Sequence, residues 1–131
     1  VAMRPEVLIL DEPTAGLDPK AHKDVLKMIE TVHEKTGNII ILVSHNMADI
    51  ARMSDKVLVI DSGNMVMMGT PKEVFSKREV LSNVGLDLPP ITQLTENLRQ
   101  RGLGIGDTIL SVDEAAEQIA KYLKDKGIDK C

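Results

Sequence analysis

Two adjacent carboxylates, Asp11 and Glu12, and a histidine, His45, are the residues of this chain best suited to chemistry. The carboxylates follow the apolar run Val7 to Leu10, and His45 follows a second apolar run that begins at Ile39. Mg²⁺ prefers oxygen ligands and usually takes one or two carboxylates together with substrate phosphates. A neighbouring carboxylate can accept a proton from an attacking water. The pair therefore suits a magnesium–nucleotide site, with Asp11 as the metal ligand and Glu12 as the base.

The elements that must position these residues are two strands and the helix between them. Each apolar run is short and unbroken, which predicts a strand buried on both faces of a parallel sheet. Asp18 and Pro19 suit the N-cap and first position of the intervening helix, and Gly37 suits its end. A strand, a helix and a strand in this order form the usual unit of parallel sheets. We therefore expect Asp11–Glu12 and Ser44–His45 to share one sheet edge.

A structural interpretation competes with a functional one at each of these residues. A lone Asp–Glu dipeptide is more often a solvated pair at a strand end. The full string from Val7 to Asp18 favours function, because the strand and the turn that such a site needs come with it. His22 and His33 lie on the polar side of the predicted helix, so they receive no functional role, whereas His45 ends a predicted strand beside the carboxylates.

The composition excludes several classes of protein. The chain has 131 residues and a formal net charge of −4, which argues against nucleic acid as a partner. Cys131 is the only cysteine, so no internal disulfide can form. The longest purely aliphatic run, Ile39 to Val43, falls far short of the roughly 20 residues that a membrane helix needs. An ordinary globular protein of one domain, or slightly more, fits these values.

The motif strings resemble those of ATP-binding-cassette (ABC) ATPases. The string Leu8 to Pro19, which reads Leu-Ile-Leu-Asp-Glu-Pro-Thr-Ala-Gly-Leu-Asp-Pro, is similar to their Walker B strand and D-loop. The run Ile40 to His45 resembles the strand and switch histidine that follow in that family. The resemblance implies that two cassettes close face to face with two MgATP between them.

The resemblance also implies a role for each matching residue. Asp11 would hold Mg²⁺ through water, Glu12 would polarise the attacking water, and His45 would contact the γ-phosphate and sense its loss. The loop from Ala15 to Asp18 would cross to the other cassette. The cofactor-binding residues implied in this way are Asp11, Ala15, Gly16, Leu17, Asp18 and Ser44. The implied cofactors are ATP and Mg²⁺.

Two motifs of that family are absent from this sequence. There is neither a G-x-x-x-x-G-K-[ST] phosphate loop nor a Ser-Gly-Gly-Gln signature. Val1 to Met3 resemble the end of the helix that the signature begins. We therefore interpret the chain as the C-terminal part of a longer ATPase and expect it not to hydrolyse ATP alone. We also expect the isolated chain to be poorly soluble, because Ile39 to Val43 would form an open apolar edge.

The second half of the chain predicts a hairpin and then helices. Lys56 to Ile60 and Met65 to Met68 flank turn residues, and Thr70 to Glu73 form a capping box that opens a short helix. The resemblance to the catalytic core ends at about Ser76, so we place a domain boundary between residues 76 and 77. Beyond it, Ile91, Leu94 and Leu98 predict one apolar helical stripe, and Val112, Ala115, Ala116, Ile119 and Leu123 predict another. Gly104 and Gly106 predict a loose segment between the two helices.

Residues 77–131 resemble the C-terminal extension of the energy-coupling-factor (ECF) ATPases. The matching strings are Gly-Leu-Asp-Leu-Pro from Gly85, Ile-Thr-Gln-Leu from Ile91, and Ser-Val-Asp-Glu-Ala-Ala from Ser111. These ATPases serve bacterial and archaeal importers of vitamins and of cobalt or nickel ions. The resemblance implies a second ATPase subunit and integral-membrane subunits as partners. It also implies a place at the cytoplasmic face of the membrane.

The predicted fold class is α/β, namely the C-terminal part of a P-loop NTPase parallel-sheet core with a hairpin and a small helical extension. Two other functions stay open. One is a soluble ABC ATPase of translation or DNA repair, although the long coiled-coil insertion of the repair type is absent. The other is a non-catalytic interaction module, in which residues 78–131 pair with a copy of themselves.

Overall fold

A computed structural model of the chain describes residues 4–128, so the helix end predicted at Val1 to Met3 lies outside it. The described residues form two compact units, one ending at His45 and one beginning at Asn46. The domain boundary at residues 76 and 77 stays a prediction. The elements in chain order are β1 (Val7–Asp11), α1 (Pro19–Thr36), β2 (Ile39–Val43), α2 (Met47–Met53), β3 (Val57–Asp61), β4 (Asn64–Gly69), α3 (Pro71–Phe75), α4 (Arg78–Asn83), α5 (Pro90–Gln100) and α6 (Val112–Asp125).

The first unit is the predicted strand–helix–strand arrangement. Strands β1 and β2 pair in parallel, with Val7 opposite Ile39 and Asp11 opposite Val43. Helix α1 begins at the Asp18 N-cap with Pro19 in its first turn, and it ends at Gly37, whose φ of 62° is left-handed. Glycine adopts this conformation without steric cost, which explains why the helix stops there. The predicted parallel pairing and helix ends are confirmed.

The prediction that both strands are buried on both faces is wrong. Every second residue of the two strands is exposed, while the residues between them are half-buried. Successive side chains of a strand point to opposite faces of the sheet, and in the described part of this unit α1 is the one helix available to cover a face. The other face therefore exposes a set of apolar side chains, here called the open sheet face: Val7, Ile9, Ile39, Ile41 and Val43.

The second unit opens with helix α2 and the predicted hairpin. Strands β3 and β4 pair antiparallel, and the turn between them places Ser62 and Gly63 at φ values of 50° and 77°. Two central residues with positive φ are typical of the type I′ turn that matches the twist of hairpin strands. Helix α3 begins with a complete capping box between Thr70 and Glu73. The predicted α/β fold class, with a parallel pair and a hairpin, is thus confirmed.

The helical extension has a small core of its own, which partly corrects the sequence prediction. The segment predicted to be loose around Gly104 and Gly106 contributes the buried Ile105 and Ile109 to that core. The remaining members are Ala115 and the partly buried Ile91, Leu98, Leu103 and Ile119. Burial of the two isoleucines holds the segment in place without regular secondary structure.

The apolar stripes predicted for α5 and α6 are each broken by an exposed member. Leu94 is exposed, whereas Thr92 and Thr95 on the same helix are buried. Both threonine hydroxyls donate to backbone carbonyls, Thr92 to Ile109 and Thr95 to Ile91. A buried hydroxyl that is hydrogen-bonded carries little penalty, so these threonines can occupy core positions although the predicted apolar stripe did not include them. Val112 of α6 is exposed as well.

Candidate functional site

The candidate functional residues lie where β1 and β2 end. Because the strands are parallel and Asp11 lies opposite Val43, the chain leaves both strands at the same edge. The Glu12 N–H donates to the Val43 carbonyl at 2.8 Å and so continues the ladder one residue beyond β1. The predicted sharing of one sheet edge by Asp11–Glu12 and Ser44–His45 is therefore what the structure shows.

Glu12 and His45, thirty-three positions apart in sequence, are in direct contact. His45 Nδ1 lies 2.7 Å from Glu12 Oε1, and the His45 backbone N–H donates to the same oxygen at 3.0 Å. An ionised carboxylate has only acceptors, so Nδ1 must carry the hydrogen and Nε2 is left for another partner. Both donors use Oε1, which leaves Oε2 unused by His45. The His45 side chain is 80% exposed and that of Glu12 is 33% exposed, so the pair is open to a ligand.

The backbone of Glu12 adopts an unusual conformation. Its φ is 46°, in the left-handed region that residues other than glycine seldom occupy, and a proline follows it. The conformation is held from three sides: the N–H bonds to Val43, the carbonyl accepts from the Ala15 N–H at 3.1 Å, and the carboxylate accepts from His45. Strain of this kind occurs most often at functional sites.

The predicted loop from Ala15 to Asp18 is a surface turn between β1 and α1. All four of its residues are exposed, and Gly16 has a φ of 72°. Asp18 ends the loop as the N-cap of α1, where its Oδ1 accepts from the Lys20 and Ala21 N–H groups at 2.9 and 3.0 Å. Asp18 therefore has a structural task besides the nucleotide contact predicted for it.

Asp11 and Ser44 complete the predicted set. Asp11 is exposed at the end of β1, and Ser44 is half-buried just beyond β2. Among residues 4–128 no group of three histidine, cysteine or acidic side chains could hold a metal by itself. Mg²⁺ is usually bound through one or two carboxylates, several waters and substrate phosphates. One exposed carboxylate at this edge therefore fits Mg²⁺ that arrives with a nucleotide.

Two features of the site were missed by the sequence analysis. Thr14 is buried although the residues after it are exposed, and nothing in its type or spacing signals this. The backbone N–H of His45 donates a hydrogen bond to the Glu12 carboxylate, a contact that no side-chain pattern can predict. His22 and His33 lie on α1 as predicted, and His33 Nδ1 contacts the Asn38 carbonyl, so its role is structural.

Comparison with known proteins supports the resemblance. No protein-family model matches the chain. An energy-coupling factor transporter ATP-binding protein, EcfA2, of Caldanaerobacter subterraneus is 51% identical over 124 residues, which cover 95% of this chain and 43% of that protein. EcfA2 of Clostridioides difficile is 43% identical over 98% of this chain and 45% of its own length. The chain thus spans less than half the length of these curated relatives.

A solved structure agrees with these sequence matches. CbiO1 from Clostridium perfringens, described as part of the ABC transporter complex CbiONQ, superposes with a TM-score of 0.51 at 41% identity. The match covers 70% of this chain and 37% of CbiO1. These similarities confirm the class predicted from the sequence, the ABC ATPases. Within that class they confirm the resemblance to the ATP-binding proteins of energy-coupling-factor transporters.

Proposed function

We propose that this chain supplies part of the hydrolytic site of an ABC ATPase subunit that powers an ECF-type importer. The observation that carries the proposal is the contact of Glu12 with His45 at the shared ends of two parallel strands. The names of the relatives support the same conclusion for the whole protein. The phosphate loop and signature that complete such a site are absent from this sequence, so we expect turnover only when other segments supply them.

We assign the chemistry as follows. Glu12 polarises the attacking water. Because both hydrogen bonds from His45 go to Oε1, we assign Oε2 as the oxygen that accepts the proton. His45 contacts the terminal phosphate through Nε2, the ring nitrogen that Glu12 does not use. Asp11 would hold Mg²⁺, which would supply positive charge to offset that of the phosphates. Phosphoryl transfer depends mainly on positioning and electrostatics, and a positioned base is typically worth about 10²–10⁴ in rate.

The remaining assignments concern partners and place. We propose that Ala15 to Asp18 reach a second ABC ATPase subunit and that Ser44 lies beside the nucleotide. Integral-membrane subunits at the cytoplasmic face of a bacterial or archaeal membrane would receive the energy. The cargo would be a vitamin or a cobalt or nickel ion. Among residues 4–128, no helix combines the length and apolar character needed to span a lipid bilayer.

An interaction role for the helical extension is compatible with this function. Leu94 and Val112 are exposed apolar residues on α5 and α6, at positions where a second copy of the extension has surface to bury. We propose that residues 78–131 contribute to pairing of two subunits. The size of the complete subunit with and without this segment, measured by light scattering, tests the assignment: an unchanged oligomeric state after truncation would exclude it.

The decisive experiment replaces Glu12 by glutamine in the complete ATPase subunit. Gln keeps the size of the side chain but removes the basic carboxylate, so ATP binding should persist while turnover falls by about 10²-fold or more. Glu34→Gln, at an exposed position on α1, is the matched control and should behave like the wild type. Nucleotide binding and steady-state phosphate release are measured in parallel. Wild-type turnover in Glu12→Gln would remove Glu12 from the mechanism.

A further inference from the structure

Thr14 stands out within the connection between β1 and α1. Every residue from Ala15 to Lys20 is exposed, whereas only 7% of the surface of Thr14 is accessible. It is also the only buried residue between the end of β1 and the start of α1. An exposed loop with few buried contacts opens easily, so a single buried residue has a large influence on its geometry.

The backbone hydrogen bonds place Thr14 in two overlapping turns. The first runs from Glu12 to Ala15, where the Ala15 N–H donates to the Glu12 carbonyl at 3.1 Å. The second begins at Thr14, whose carbonyl accepts from the Leu17 N–H at 3.4 Å. Thr14 also makes an interaction beyond this backbone bond. The residue therefore links the turn that carries the carboxylate to the exposed loop that follows.

We propose that Thr14 is a positioning residue that fixes the loop from Ala15 to Asp18 relative to Glu12. The inference rests on the proposed function, because that function gives Glu12 and the loop their roles at the nucleotide. The physical argument is that the loop has no other buried anchor before the Asp18 cap. The proposal assigns the anchoring to the hydroxyl of this buried residue: a buried polar contact left unmade costs free energy, and small misplacements near a reacting centre cost large factors in rate.

The test uses threonine substitutions in the complete ATPase subunit. Thr14→Val keeps the shape of the side chain and removes the hydroxyl, whereas Thr14→Ser keeps the hydroxyl. Thr31→Val is the matched control, because Thr31 is a threonine of α1 whose hydroxyl bonds to the Lys27 carbonyl away from the site. Two measurements are made: amide hydrogen exchange of peptides covering residues 13–18, and steady-state kinetics that give kcat and KM for MgATP.

We expect Thr14→Val to raise the exchange rate of residues 13–18 about tenfold and to lower kcat about tenfold, with KM changed less than about twofold. Exchange in α1 should be unchanged, which separates a positioning role from general loss of structure. Thr14→Ser should stay within about threefold of the wild type in both measurements. Thr31→Val should match the wild type.

Several results would overturn the proposal. Unchanged exchange in Thr14→Val would show that the residue does not anchor the loop, and faster exchange with unchanged kcat would show that the reaction does not need the anchor. Faster exchange throughout α1 would reduce Thr14 to an ordinary stability residue. If Thr14→Val does not fold, Thr14→Ala replaces it, and equal exchange in the Ala and Ser variants would refute the role of the hydroxyl. An inactive wild-type subunit would refute the proposed function, while the exchange comparison would still decide whether Thr14 anchors the loop.

Discussion

Asp18 combines a structural and a functional task, and two substitutions separate them. Its Oδ1 accepts from the backbone N–H groups of Lys20 and Ala21 at 2.9 and 3.0 Å, which caps α1. It also ends the loop that we propose to contact a second subunit. Asp18→Ala removes both the cap and the charge. Asp18→Asn keeps a side-chain oxygen that can accept the same hydrogen bonds and removes only the charge.

The expected magnitudes follow from these contacts. Replacing an N-cap Asp by Ala typically costs about 1 kcal/mol, within a range of about 0.5–2, whereas Asn caps about as well as Asp. Loss of the negative charge at the helix N-terminus costs a further ~0.3–1 kcal/mol at low salt. Because Asp18 is exposed, solvent screening places the charge effect at the low end. We therefore expect a loss of about 1–1.5 kcal/mol for Asp18→Ala and about 0.3 kcal/mol for Asp18→Asn.

The assay is urea denaturation of the complete subunit together with ATP turnover. A change in the midpoint with an unchanged m-value reports stability alone. If the Asp18 charge acts at the nucleotide, Asp18→Asn should lose turnover while it keeps nearly all its stability. Ser111→Ala is the control, because Ser111 caps α6 by accepting from the Glu114 N–H at 3.1 Å and should lose stability but not turnover. Equal destabilisation by Asn and Ala would refute the capping argument, and wild-type turnover of Asp18→Asn would refute a role for the charge.

Three further predictions concern the site, a helix cap and the open sheet face. His45→Ala should reduce phosphate release at least about tenfold in the complete subunit, because Glu12 loses one of the two donors that orient it. Two hydrogen bonds with Thr70 lower the pKa of Glu73. The bond with the Thr70 backbone has the larger effect, and the bond with the Thr70 side chain has the smaller. The ionised Glu73 carboxylate therefore stabilises the fold at pH values above its unfolded-state pKa, and this stabilisation is lost as the pH falls through its folded-state pKa. In urea denaturation, Glu73→Gln should thus lower the stability more at pH 7 than at pH 3. The isolated chain should self-associate in light scattering through its open sheet face, and exchanging Ile9 and Ile41 for threonine should reduce this.

Each of these predictions has a control or a result that contradicts it. His33→Ala, outside the site, should leave phosphate release unchanged, and normal release in His45→Ala would exclude the proposed role of His45. A destabilisation by Glu73→Gln that is independent of pH would mean that the ionised carboxylate contributes nothing to the cap. A monodisperse, folded chain would contradict the expected self-association.

The parts of the fold that follow local rules could be predicted from the sequence. Asp18 followed by Pro19, Gly37 after the helical pattern and the Thr70–Glu73 box each specify a helix end through a backbone requirement of a few residues. Parallel pairing of β1 with β2 followed from their order with an intervening helix. These rules were enough to predict that Glu12 and His45 would lie at one edge of the sheet.

The parts that depend on tertiary surroundings could not be predicted. Unbroken apolar strands suggested burial on both faces, but the cover of a sheet face comes from other elements, and the pattern of the strand does not reveal it. Leu94 is exposed, whereas Thr92 and Thr95 are buried. The two threonines tolerate burial because their hydroxyls donate hydrogen bonds to backbone carbonyls. A hydrophobic pattern ranks residues by type, whereas a satisfied hydroxyl can occupy a core position at little cost.

The left-handed conformation of Glu12 is a feature of the site that the sequence does not predict. If β1 continued in an extended conformation, its pairing with β2 would not stop at Glu12. Instead the chain turns at Glu12, and the Glu12 carbonyl accepts a hydrogen bond from the Ala15 N–H. The cost of this conformation, of order 1–3 kcal/mol, is opposed by the bonds that Glu12 makes to Val43, Ala15 and His45. Removing the carboxylate removes the bonds to His45 alone, so the backbone turn should outlast the loss of turnover. The backbone bonds of Glu12 to Val43 and Ala15 therefore hold the turn, whereas the contacts of its carboxylate with His45 orient the base.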